Sequence, residues 1–209
     1  MRTRSGPSRR LIAALSLAAA LLAAYPTRAS TDEAADFVRT LGDTALLLLR
    51  DGTPDPAARR DHVEQLLARD FDLAGMGRLS LGRFWRVATE TQRGEFLRLF
   101  AAFVTNLYAN NLDRRPGDPP LVTDFAVDRV RAEPEADGAA QTYVVTTHFE
   151  RPAGPPVRVE WRVRAEEGDY RVADLSVQGL SMVVIFRQML ATALREGGGD
   201  VEGLLGRLR

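Results

Sequence analysis

The sequence predicts an α+β fold in which several helices pack on the apolar face of a four-stranded, antiparallel, curved sheet. Two observations carry this reading. Up to Leu112, and again after Leu180, apolar residues recur at helical spacing, whereas between Leu121 and Gln178 they recur at every second position. The period-two segments are separated only by the turn-like stretches EPEADG, RPAGPP and EEGD, and strands joined by short connections pair antiparallel.

The first 29 residues stand apart from that pattern. Arg2, Arg4, Arg9 and Arg10 precede the apolar run LIAALSLAAALLAA, and TRA ends on a small residue before Ser30, which together make the three parts of an export signal. The run is shorter than the roughly 20 residues a membrane-spanning helix needs. SRRLIA (8–13) also loosely matches a twin-arginine signal. The expectation is a signal peptide over 1–29 and one domain over 30–209, released into a bacterial periplasm.

The 28 basic and 28 acidic side chains cancel, so nothing global points to nucleic acid or another polyanion. There is no cysteine, which excludes disulfides and a lipidated cysteine at the cleavage site. With only His62 and His148 besides carboxylates, a zinc site is not expected. A lone strand histidine such as His148 reads as a solvated or hydrogen-bonded side chain.

Each element has its own signal. Phe37, Leu41, Thr44, Ala45 and Leu48 share one face of a first helix, and Val63, Leu66 and Leu67 share one face of a second, opened by TPDP. Gly75, Gly77 and Gly82 break AGMGRLSLGRFWRVA into short helical turns. Thr89 and Gln92 form a capping box. The helix they open carries Phe96, Leu99, Phe100, Phe103, Val104, Leu107, Tyr108 and Leu112 on one broad stripe, and DRRPGDPP ends it.

Four strands follow. In the third, Val157, Val159, Trp161 and Val163 alternate with Arg158, Glu160, Arg162 and Arg164, giving one dry face and one wet face. Phe125 and Val127 of the first strand, and Tyr143, Val145, Thr147 and Phe149 of the second, offer a matching dry face. The last helices run from about Leu180 to Arg195 and from Asp200 to Leu208, with Gly197–Gly199 as the stop and Asp200 as the cap.

One dry sheet face faces more apolar helix surface than it can cover. Met182, Val183, Val184, Ile185, Phe186, Met189 and Leu190 surround a single helix. A thick, filled core and a cavity for an apolar ligand between helices and sheet both satisfy this pattern, and periodicity does not separate them.

FDLAGMGRLSLGRFWRVATETQRGEFLRLFAAFVTNLYANNL and YRVADLSVQGLSMVVIFRQMLATALREGGGDVEGLLGRL resemble the two signatures of the MlaC family, periplasmic phospholipid-binding proteins also called toluene-tolerance proteins. The resemblance covers nearly all of residues 32–209. It implies a lipid cavity enclosed by sheet and helices. It also implies a monomeric carrier without cofactor or metal, moving phospholipid between an inner-membrane ABC transporter complex and an outer-membrane lipoprotein complex. A hopanoid-associated branch of the same family, handling a hopanoid-like lipid, and an envelope adaptor with a filled core are the alternatives.

The side chains then expected to meet lipid are Phe84, Trp85, Phe100, Phe103, Tyr108, Phe125, Tyr143, Val145, Val159, Trp161, Val163, Met182, Phe186, Arg187 and Met189. Phe84, Trp85 and Trp161 could equally fill core. Arg187, the one charge between Leu180 and Leu194, either pairs with Asp174 or meets a lipid phosphate at the cavity mouth. No catalytic residue is expected. GLSM lacks the second glycine of a nucleophile elbow, and although Asp174 with Tyr143 or Tyr170 can be drawn as the carboxylate–tyrosine pair that isomerases of cone-shaped sheet-and-helix folds hold in an apolar pocket, nothing in the spacing requires it.

Overall fold

The structure is a computed structural model, and it describes residues 30–51, 55–112, 118–134, 140–166 and 168–209. The expected signal segment, 1–29, lies outside the described residues. Among those residues no helix is long and apolar enough to cross a membrane.

Seven helices and one open sheet are present among the described residues, in chain order α1 (Thr31–Asp51), α2 (Pro56–Asp70), α3 (Leu73–Leu81), α4 (Arg83–Val87), α5 (Glu90–Asn111), β1 (Asp124–Ala132), β2 (Gln141–Glu150), β3 (Val157–Glu166), β4 (Asp169–Val177), β5 (Leu180–Ser181), α6 (Met182–Glu196) and α7 (Val201–Leu208). The α+β class holds, with one correction. The sheet is a five-stranded antiparallel meander, because Gln178 and Gly179, both at positive φ, turn the chain so that Leu180–Ser181 pair back on β4 before α6 begins.

Helix starts follow their local chemistry. Thr89 and Gln92 make the reciprocal capping box that opens α5. Asp55 and Asp200 accept from backbone N–H groups at the starts of α2 and α7. Ser30 and Glu33 cap the start of α1 in the same reciprocal way. Gly82, at φ 59°, separates α3 from α4, so the glycine-rich stretch forms two short helices.

The dry face forms as the alternation requires. Tyr143, Val145, Thr147 and Phe149 of β2 and Val159, Trp161, Val163 and Ala165 of β3 are all buried. Two bulges extend that face beyond simple alternation. In β1 the register shifts between Val127, opposite Thr147, and Arg129, opposite Thr146, so Val127 and Val130 lie on the same side although three residues apart. In β4 the shift at Ala173 does the same for Val172 and Leu175, opposite Val163 and Trp161.

Two packing regions share the interior. In the first, α3, α5, α6 and α7 build a helical core around Phe100, whose ring meets Phe186 edge-on at 5.4 Å and Phe96 at 5.7 Å. In the second, α1 crosses the dry side of the sheet. Its Gly42 admits the Phe125 ring, its Phe37 stacks on Tyr170 at 5.9 Å, and Phe125 rests on Phe149 at 4.8 Å.

Candidate functional site

Between α1, α2, the end of α5 and the dry face of β2–β4 the structure leaves a cavity of about 400 Å³. Helix α1 contributes Leu41, Ala45 and Leu48; α2 contributes Val63, Leu66 and Leu67. The sheet supplies Phe149, Val157, Val159, Trp161, Leu175 and Val177. Phe71 pairs with Val172 beyond the free side of β4, and Leu121 and Val122 approach from the other side. Tyr108, Asn111 and Leu112 bring the last turn of α5 to the wall. No lining residue carries a charge.

Local chemistry explains why these side chains converge. The Asp72 N–H donates to the Val172 carbonyl at 3.0 Å, which seats Phe71 beside β4. The Asp72 carboxylate caps α3 through the Gly75 N–H at 2.8 Å and meets Arg164 at 3.0 Å. Arg59, buried on α2 one turn before Val63, donates to the Ala109 carbonyl at 2.9 Å and so joins α2 to the C-terminal, negative end of α5. The bulge at Ala173 turns Leu175 toward the cavity alongside Trp161.

Three of the side chains expected to meet lipid line this cavity: Tyr108, Val159 and Trp161. Phe125, Tyr143, Val145 and Val163 lie on the same dry face without lining it, and all but Phe125 are fully buried. Phe100 and Phe186 sit in the helical core. Met182 packs against that same buried cluster. Phe103 and Met189 border a second, mixed groove of about 530 Å³ between α5, α6 and α7, which also carries Asn106, Asn110 and the Glu196–Arg207 ion pair. Phe84 and Trp85 pack at the edge of the core under arginines, with Arg83 5.0 Å from the Phe84 ring centre and Arg93 5.4 Å from that of Trp85.

The surroundings of Arg187 differ from both expectations. Helix α6 is not enclosed on every side: it buries Val183, Phe186, Leu190 and Leu194, while Val184 and Met189 are 47% and 40% exposed. Arg187 is on the exposed side, and its Nη2 donates to the Leu79 carbonyl of α3 at 2.9 Å. Asp174 receives instead the Ser181 hydroxyl at 2.6 Å, the Val183 N–H at 3.1 Å and the Leu175 N–H at 2.8 Å. It therefore completes the N-terminus of α6, where a carboxylate is favoured by the helix dipole. Arg187 does not line the cavity.

The lining that sequence reasoning missed was partly visible. Leu41, Ala45, Leu48, Val63, Leu66 and Leu67 all fall on the helix faces that periodicity marks as inward, yet inward residues of α5 and α6 carry the same signal. Phe71, Leu121 and Val122 lie outside regular elements, where no period applies.

Polar groups at the wall are few. The Trp161 Nε1–H donates to the Thr147 hydroxyl at 2.9 Å, and that hydroxyl donates to the Val159 carbonyl at 3.2 Å, so both are satisfied within the sheet. Burial pushes the Tyr108 phenol up to about 12, with a smaller contribution from the charge of Asp174. The cavity is therefore suited to excluding water from a flexible apolar body.

Fold and cavity together define an open α+β shell with an uncharged apolar pocket between a meander sheet and its covering helices. The family model described as MlaC protein matches residues 39–209, and the chain belongs to the MlaC family. Its fold is similar to that of the phospholipid-binding protein from Ralstonia solanacearum, solved in complex with a phospholipid. The two chains are 23% identical, with a TM-score of 0.59 over 83% of this chain and 93% of that one.

Proposed function

We propose that this protein is a periplasmic lipid carrier whose single domain, residues 30–209, holds phospholipid acyl chains in the cavity beneath α1 and α2 and passes the lipid between outer-membrane and inner-membrane complexes. The observation that carries the reading is the cavity itself, about 400 Å³ with no charged lining residue, in a chain of the MlaC family. A phospholipid has about 30 methylenes, and exposing them at roughly 0.8 kcal/mol each would cost more than 20 kcal/mol, so the tails cross an aqueous compartment only when covered. Family membership favours a binding or carrier role over catalysis.

Native mass spectrometry of protein purified from lipid-bearing cells, followed by extraction and identification of the bound molecule, tests the proposal. A mass increment equal to one phospholipid is expected. Protein that leaves the cell lipid-free and takes up none from vesicles would favour the envelope adaptor, and a polycyclic lipid in the extract would favour the hopanoid-associated branch.

A further inference from the structure

Most of the cavity wall offers a ligand nothing but dispersion contacts, and its polar side-chain groups can be taken one at a time. The Trp161 N–H is used by Thr147, and the Asn111 side chain is exposed. The Tyr108 hydroxyl has no hydrogen-bond partner among the described residues, although Tyr108 lines the wall, is half-buried, and has its phenol pKa raised mainly by burial. A half-buried hydroxyl without a protein partner makes at best an incomplete set of hydrogen bonds in the empty protein, and a ligand that supplies an acceptor completes it. Its elevated pKa keeps the phenol protonated, and so a donor, at any physiological pH.

We propose that the Tyr108 hydroxyl is the polar anchor of the cavity and donates a hydrogen bond to the ester carbonyl of a bound acyl lipid. This deepens the carrier reading and rests on it: the hydroxyl makes the site selective for ester-linked acyl chains over ether-linked chains of the same length and headgroup. An ether-linked chain lacks that carbonyl and offers only the weaker ether oxygen as acceptor. The tyrosine stands at the last turn of α5, beside the rim residue Asn111, which is where the polar end of a lipid with its tails inside would lie.

The test uses diacyl phosphatidylglycerol and its dialkyl ether counterpart of equal chain length, presented in vesicles to the purified parent protein and to Tyr108→Phe, with uptake read by native mass spectrometry. The parent is expected to retain the diacyl lipid about three- to tenfold better than the ether lipid, and Tyr108→Phe to abolish that preference by losing diacyl retention alone. The melting temperature of lipid-free Tyr108→Phe should equal or exceed that of the parent, because an unsatisfied hydroxyl is removed. Equal retention of the two lipids by the parent, or an equal loss of both in the variant, overturns the anchor and leaves the carrier reading standing. Uptake of neither lipid by the parent overturns the carrier reading as well.

Discussion

Arg187 ties α6 to α3 by donating to the backbone carbonyl of Leu79 at 2.9 Å, while its would-be partner Asp174 caps the start of α6. The two charged groups hold the same helix by separate devices. Arg187→Met should therefore cost less than about 1 kcal/mol, since the bond is exposed and no carboxylate is left unpaired. Asp174→Ala should cost about 2 kcal/mol, because the Ser181 hydroxyl and the Val183 N–H lose their acceptor together. Urea titration of both variants measures the order, and a loss for Arg187→Met that Asp174→Asn restores would mean that the two residues are paired after all.

The cavity separates two buried valines of the sheet. Val159 lines it and Val145 does not, although both lie on the dry face and Val145 is wholly inaccessible. Val145→Trp should strain packed neighbours and lower stability by about 3 kcal/mol. Val159→Trp has open space to enter and should cost about 1 kcal/mol or less while reducing phospholipid uptake several-fold. Thermal melting and lipid retention, measured side by side, distinguish the two, and equal melting losses would argue for a filled core.

The end of α6 and the start of α7 meet backbone to backbone. A Cβ on Gly203 would overlap the Gly197 carbonyl, whereas one on Gly206 would meet nothing within 4 Å. Gly203→Ala is expected to destabilise by about 2 kcal/mol or more. Gly206→Ala, in the same short helix, should stabilise by up to about 1 kcal/mol through helix propensity. Denaturation midpoints of the two variants should move in opposite directions.

Acid should loosen the start of α1. The Tyr170 hydroxyl donates to Glu33 at 2.7 Å, and this bond, followed by that from the Ser30 N–H, holds the Glu33 carboxyl below its ordinary value of 4.5. A carboxyl with a depressed folded-state pKa contributes stability above its unfolded pKa and loses it as pH falls through the folded value. Burial, then Glu33, pushes Tyr170 up to about 12, so its own contribution is present below its ordinary value of 10 and lost as pH rises through about 12. Tyr170→Phe should flatten the decline in melting temperature between about pH 5 and pH 3 relative to the parent. An unchanged slope would show that the contact carries no linkage.

What the sequence determined by itself was the order of the longer helices and the four main strands, together with the inward faces of those that run without a bulge. The Thr89–Gln92 box and the alternation of β3 each rest on interactions within a few residues, and each is found as read, whereas the first strand begins at Asp124, three residues after the expected change of period at Leu121. Tertiary structure decided which inward residues face a hollow and which face one another. The stripe on α5 is continuous in sequence, yet Phe96 and Phe100 enter the helical core while Tyr108, two turns further on, reaches the cavity. Helix α6, so apolar in sequence, packs on α3 and α7 and leaves Val184 and Arg187 at the surface. The bulges at Asp128 and Ala173 place Val130 and Leu175 on the dry face against the parity of their strands. Periodicity measures only the direction of a side chain from its own backbone, whereas a cavity is a gap between several elements, set by crossing positions and register shifts that no single segment encodes.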